Sequence, residues 1–271
     1  MTLQTDTSAR YRGPARLSRL FATALFAAAG CSSSPVEWRT VEYPGRPPLG
    51  APAAKVAVVP ADACPESFRA AMPPGPDSGV VYAAWWRVRS DSSAELMAGR
   101  SADGGHTWSR VVPADTLDRS RRGCARPAPA VAADATGYVY FTYFTEPLEG
   151  PGVFFVHSMD GARLGTGDGI FHSPVAIVYG TRPAHVAIAA QNGRVVVAYE
   201  DPNAERPRVD VALSRSMGHI FEARASVSPS DLPATAPGAA IAGDTVTVWW
   251  TERTPAATGG GRVALRKGVW R

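Results

Sequence analysis

The sequence predicts an all-β protein: a β-propeller of four-stranded antiparallel blades, four or five in number. Three observations point there. The 271 residues include 26 Gly and 24 Pro, with 45% hydrophobic and only 19% charged residues, a turn-rich composition with enough apolar side chains to fill a core. Short β-runs separated by Gly, Pro, Asp and Ser replace any sustained 3.6-residue periodicity. Finally, four segments align on glycines 79, 137, 193 and 243, spaced 58, 56 and 50 residues apart, and each carries an aromatic six residues on: Trp85, Tyr143, Tyr199 and Trp249. One four-stranded sheet cannot bury both of its faces, so a repeat of this length implies sheets stacked on one another around an axis.

Taken in order, residues 1–30 read as a secretory signal. Arg10, Arg12, Arg16 and Arg19 form the basic region, and residues 20–29 an apolar run too short to span a bilayer. Ala28-Ala29-Gly30-Cys31 resembles the lipobox of bacterial lipoproteins, with Ala28 where that family usually has Leu. The resemblance implies that Cys31 is lipidated and becomes the first mature residue. By the same resemblance, Ser32 implies sorting to the outer membrane. Residues 31–54 follow as an anchor and linker, in which 36–43 offer a strand to close the ring, and 55–271 form the propeller.

Within each repeat an Ala-rich strand precedes the glycine (Ala130-Val131-Ala132, Val186-Ala187-Ile188) and a second strand follows it. Third strands are expected at 94–99, 153–157, 209–213 and 262–265, and fourth strands near Trp108, Phe171 and Phe221. The last repeat stops after its third strand, which leaves a place for the 36–43 segment.

Ser101-Ala-Asp103-Gly-Gly105-His-Thr107-Trp108 matches the Asp-box at every fixed position. It resembles the repeat of bacterial neuraminidases, the sialidase-like propellers. Degenerate copies begin at Ser158 (with Asp160) and Ser214 (with Gly218 and Phe221), each 21 residues after its glycine, against 22 for Ser101. The box is a hairpin device: small polar side chains accept backbone N–H groups and glycine supplies positive φ. In that family it lies on the rim, so Asp103 is expected to be structural.

The resemblance extends to candidate site residues. Phe68-Arg69-Ala70-Ala71 is similar to the motif that opens sialidase domains, with Ile and Pro replaced by alanines. By carry-over, Arg69 would bind a substrate carboxylate, Arg87 would support the site and Asp91 would be the general acid. The repeat adds a separate expectation. Arg69, Arg126 and Arg182 precede their glycines by 10, 11 and 11 residues, a register that puts all three at the start of innermost strands. A convergent set of guanidinium forks would suit an acidic sugar. The alternative is that each arginine pairs with a carboxylate of its own.

Other signals narrow the function. Without residues 1–30 the net charge falls from +4 to +1, so the basic balance belongs to the leader and no nucleic-acid partner follows from it. With Cys31 lipidated, Cys64 and Cys124 remain, and an oxidising compartment favours a disulfide between them. The five histidines are scattered and neither cysteine has a partner at metal-ligand spacing, so no metal or cofactor is expected. No tyrosine–glutamate pair stands out for the nucleophile that sialidases use. The readings are therefore a surface-anchored propeller that binds a glycan without catalysis, an exo-sialidase or related glycoside hydrolase, and a structural envelope propeller.

Overall fold

The computed structural model describes residues 34–48, 54, 56–75, 79–135, 137–158, 171–229, 231–253 and 261–271. Among these, sixteen strands form four four-stranded antiparallel sheets, with one 3₁₀ turn (Pro65–Ser67) and no α-helix. The first blade holds β2 (Arg69–Ala71), β3 (Val81–Val88), β4 (Ala94–Ser101) and β5 (Arg110–Asp115) in chain order. The second holds β6 (Ala130–Ala133), β7 (Val139–Thr145), β8 (Gly152–His157) and β9 (Val175–Tyr179). The third holds β10 (Val186–Gln191), β11 (Arg194–Glu200), β12 (Val209–Ser214) and β13 (Ala223–Ser226). In the fourth, β14 (Ala234–Ala242), β15 (Thr245–Glu252) and β16 (Arg262–Trp270) are completed by β1 (Val36–Glu42), which pairs antiparallel with β16. Both ends of the described chain thus lie in one sheet.

The aligned glycines open the second strand of each blade. All four have positive φ, between +58° and +89°. At Asn192-Gly193 both residues are left-handed, at φ 52° and 77°, the pairing that a two-residue hairpin between right-twisted strands requires. The inner strands β2, β6, β10 and β14 are rich in alanine because they approach one another around the axis, β6 beside β2 and β10, and β10 beside β14.

Burial follows from this stacking. Every residue of β7 (Val139–Thr145) is buried, although the strand is amphipathic by no pattern, because its blade is packed on both faces. One face meets Tyr82, Ala84 and Trp86 of the first blade, and the other meets Ile188, Val195, Val197 and Tyr199 of the third. In β15 burial alternates: Val246, Val248, Trp250 and Glu252 are buried against the third blade, while Thr245, Thr247, Trp249 and Thr251 are half-buried. The apolar clusters join blades one to two, two to three and three to four. None among the described residues joins four to one, so the sheets do not form a closed ring of packed faces. The far face of the first blade (Ala83, Trp85, Met97) is instead covered by Ala63, Phe68 and Trp108.

Residues 1–30, Cys31 and Asp160, which carry the signal, the lipidation site and part of the second box, lie outside the described residues.

Candidate functional site

The starts of the four inner strands surround a cavity of about 400 Å³. Its wall comes from Arg69–Ala71 of β2, Ala128 to Val131 at β6, His185 to Ile188 at β10, and Ala236 to Ala239 of β14, with Trp249 behind them. Most of these side chains are apolar and small, so the few polar ones stand out. Arg69 is exposed at the mouth, where its Nη1 donates to the carbonyls of Glu66 and Phe68 at 2.9 and 2.8 Å. No carboxylate among the described residues forms a salt bridge with it.

His185 shares the mouth. Its Nδ1 lies 3.0 Å from Glu200 Oε2, and this hydrogen bond raises the imidazole above its ordinary pKa, against a smaller opposing effect of burial and of nearby Arg69. Burial would raise the Glu200 carboxyl, but His185 and the Ala236 N–H outweigh it and hold Glu200 below the usual carboxylate range. Ala236 donates to Glu200 Oε1 at 2.9 Å while sitting at φ +53°, in the bulge where β14 slips register against β15. An alanine in the left-handed region is strained, and the Glu200 carboxylate is what ties it down. On the same strand, Gly238 pairs with Trp249, and a Cβ there would overlap the indole. Glycine leaves the room that the ring occupies beside the cavity.

The other arginines are placed differently. Arg126 turns away from the axis into the junction of the first two blades. Its Nη1 lies 2.9 Å from Asp118 Oδ2, with side chains 3% and 2% exposed. Its Nε and Nη2 donate to the carbonyls of Gly123 and Ser120, and its guanidinium lies 5.5 Å from the Trp86 ring centroid. Arg87 is bound by Glu95 at 2.5 Å and lies 3.6 Å from Asp62. Arg182 is exposed, 3.5 Å from the Glu205 carbonyl, and does not line the cavity. The expected convergence of three arginines is thus reduced to Arg69: Asp118 supplies Arg126 with a buried counter-charge that the repeat spacing does not reveal, and Arg182 lies against the Glu205 carbonyl instead.

Asp91 lies in the β3–β4 turn, at the same end of the blade as the start of β2 but outside the cavity. Its Oδ1 accepts from Ser93 Oγ at 2.6 Å and Ser93 N at 3.0 Å, and these bonds lower its pKa. That is a turn residue's environment and the opposite of what a general acid needs. The carboxyls pushed upward, Asp115 and Asp210, are raised by burial away from the mouth. Asp115 accepts from Tyr143 Oη at 2.6 Å, and burial raises that phenol as well as the Tyr199 phenol.

The Asp-box occupies the β4–β5 turn, at the opposite end. Ser101 Oγ accepts from Gly105 N at 2.8 Å and donates to Asp103 Oδ1 at 2.6 Å. Asp103 also accepts from the backbone of His106 and Thr107 and from Thr107 Oγ1, so it is held well below the usual carboxylate range, by Ser101 first and Thr107 next. Gly105, at φ +84°, has no room for a Cβ against Val56, and Trp108 Nε1 donates to the Val58 carbonyl at 2.8 Å. Cys64 and Cys124 are joined in a disulfide across 60 residues, linking the first blade to the entry of the second.

Sequence spacing missed one grouping. His157 at the end of β8, His172 just before β9, and His219 in the third blade's box-like turn meet with ring centroids 4.4 to 4.9 Å apart. The expectation that no set of metal-ligating side chains forms is corrected here: residues 15 and 47 apart in sequence are brought together by the junction of two blades. Burial, opposed by a hydrogen bond to Ser158 and reinforced by the two other imidazoles, lowers His157 to a pKa of about 4.

No family model matches the chain, and no curated protein does. Among solved structures, it is similar to a protein of unknown function from Dyadobacter fermentans (18% identity, TM-score 0.50), with 75% of this chain and 53% of that one covered. It is also similar to a sialidase from Streptococcus pneumoniae (13%, TM-score 0.44; 74% and 31% covered) and to an exo-1,5-α-L-arabinanase from a bovine ruminal metagenomic library (13%, TM-score 0.41; 78% and 79% covered). The chain therefore spans about half the length of the first and less than a third of the second. At these identities the likeness concerns fold alone.

Proposed function

We propose that the chain is a sugar-binding propeller whose axial cavity takes a carboxylate-bearing saccharide without turning it over. The observation that carries this reading is Arg69: an exposed guanidinium free of any described carboxylate, at the mouth of a cavity of about 400 Å³ walled by all four inner strands. That volume falls in the ~300–1,000 Å³ range of ligand sites. A carboxylate would accept from the guanidinium edge that the two backbone carbonyls leave over, and a sugar ring would lie against the Trp249 indole. Catalysis is not part of the reading. Glu200, bonded to His185 and Ala236 of the cavity wall, and Asp91, the expected acid, are both held below the usual carboxylate range, the opposite of what donating a proton to a glycosidic oxygen needs.

Calorimetric titration with sialic and glucuronic acids, and with glucose as the neutral control, tests the reading. Binding of an acidic sugar, no heat with glucose, and loss of binding in Arg69→Met are expected. Equal response to acidic and neutral sugars overturns it. In a fluorogenic sialoside assay, wild type and Asp91→Ala should both stay at background; turnover by the wild type alone restores the hydrolase. Surface anchoring through lipid on Cys31 belongs to the same proposal. Labelled palmitate should enter the wild type and not Cys31→Ala, and equal labelling of the two sinks it.

A further inference from the structure

We propose that His157, His172 and His219 form a three-histidine site for a divalent transition metal, zinc foremost, at the junction of the second and third blades. Their ligand nitrogens lie within 4.8 Å of one another. Nitrogens bound tetrahedrally to one zinc ion at ~2.0–2.1 Å stand about 3.4 Å apart, so closing on a metal requires movement on the order of 1 Å. His219 is exposed and His172 half-buried, so rotation of these two rings supplies it. His157 is the fixed member: it is buried, with Tyr138, Tyr140 and Phe155 packed around its ring.

Hydrogen bonds assign Nε2 as the ligating nitrogen in two of the rings. His157 Nδ1 lies 2.9 Å from the Ser158 carbonyl, and His219 Nδ1 lies 2.6 Å from the Ser216 carbonyl. A carbonyl only accepts, so Nδ1 carries the proton in both neutral rings and the lone pair is on Nε2. A backbone carbonyl behind the far nitrogen is the usual support of a metal-binding imidazole, fixing both tautomer and ring orientation. His172 is placed by the backbone: its N–H donates to the His157 carbonyl at 3.2 Å, next to the bridge between Ser158 and Phe171. The three rings border a cavity of about 210 Å³ with Ser173, Val175 and Gly218. This leaves space for a water or a small anion as fourth ligand.

Three neutral imidazoles and an open position are the donor set of a zinc centre; copper and nickel share the preference for nitrogen, whereas magnesium and calcium require oxygen. Because the ligands come from two blades, the ion would tie the second blade to the third as the disulfide ties the first to the second. This site is remote from Arg69, so its fate and that of the sugar site are independent.

The experiment is titration of the metal-stripped full chain, purified without a polyhistidine tag, with zinc chloride by calorimetry and thermal unfolding, with magnesium chloride as control. Binding of one equivalent of zinc and a higher Tm are expected, with no response to magnesium. His172→Ala and His219→Ala should each weaken zinc at least about tenfold, while keeping the wild-type Tm in EDTA, since these rings are not buried. No zinc binding at 100-fold excess overturns the proposal. So does wild-type zinc affinity in both variants.

Discussion

Replacing Arg126 by Met separates a structural arginine from a ligand-binding one. The wild-type pair is almost wholly enclosed, with Asp118 at 2.9 Å, and methionine fills the stem's space while removing the charge. Breaking a buried ion pair from one side costs about 3–5 kcal/mol, because the remaining charge stays buried. The lower figure applies, since Asp118 retains the backbone N–H groups of Ala94 at 3.0 Å and Glu146 at 3.3 Å. With a Tm sensitivity of roughly 2–4 °C per kcal/mol for a domain of 150–250 residues, a loss of about 3 kcal/mol lowers Tm by about 6–12 °C. Urea unfolding followed by tryptophan fluorescence measures the free energy directly. Adding Asp118→Asn should recover part of the loss, because the second change removes the orphaned charge; the double-mutant cycle reports that coupling. Arg69→Met should do the reverse, leaving stability within about 0.5 kcal/mol and abolishing acidic-sugar binding. An Arg126→Met protein within about 1 kcal/mol of wild type would refute the reasoning. So would a folded Arg126→Met protein that no longer binds the sugar, for that would return Arg126 to the cavity.

Three further outcomes follow from the same geometry. His185 has a folded-state pKa above its ordinary 6.5, so its positive charge is complete well below pH 6.5 and is lost as pH rises through the folded value. Affinity for an acidic sugar should fall by about two- to fivefold over that rise, in keeping with the ~0.5–1 kcal/mol of an exposed charge, and His185→Gln should flatten the profile. Gly238→Ala puts a methyl into the Trp249 ring; a loss of about 1–3 kcal/mol is expected for such overpacking, with a shift in indole emission, and an unchanged spectrum and Tm would contradict the contact of the ring with Gly238. Replacing both Cys64 and Cys124 by Ala opens a closure of 60 residues and should cost about 2–4 kcal/mol, seen as a lower urea midpoint with a steeper slope, since the unlinked denatured chain exposes more surface.

The architecture was legible because its determinants are local. A glycine that must take positive φ, a hairpin, and an aromatic six residues on recur whatever the neighbouring blade does, so Gly79, Gly137, Gly193 and Gly243 mark equivalent strands. Asp103 was legible for the same reason, since its partners Ser101, His106 and Thr107 all lie within four residues. The sites were less so. Arg126 and Arg69 look alike in register, and only the return of the chain past Asp118 decides which one faces the axis. The three histidines come from two blades, and no spacing rule spans a blade junction. The fourth blade did carry a readable hint: Thr245-Val-Thr-Val248 alternates polar with apolar, as a sheet packed on one face must, and Trp249 falls in the register of the threonines, the face that the structure leaves half-buried.

That alternation has a dynamic consequence. The middle strand of the second blade, β7, is buried on both faces, so exposing its amides requires separation from two neighbours. Among the described residues β15 is packed on the third blade alone, and the polar ties across that junction (Arg194 to Asp244 at 2.6 Å, Glu200 to Ala236 N at 2.9 Å) are at the surface. Opening free energies track the apolar contact that must be broken. Amides of β1, β15 and β16 should therefore exchange with solvent through openings of lower free energy than those of β7 in native-state hydrogen exchange. The disulfide, which holds only the first and second blades together, widens the difference, and reducing it should narrow the gap from the β7 side. Equal protection of β7 and β15 would mean that the fourth blade's half-buried face is packed in solution against something the chain itself supplies. Slower exchange in β15 than in β7 would reverse the order of stability along the stack.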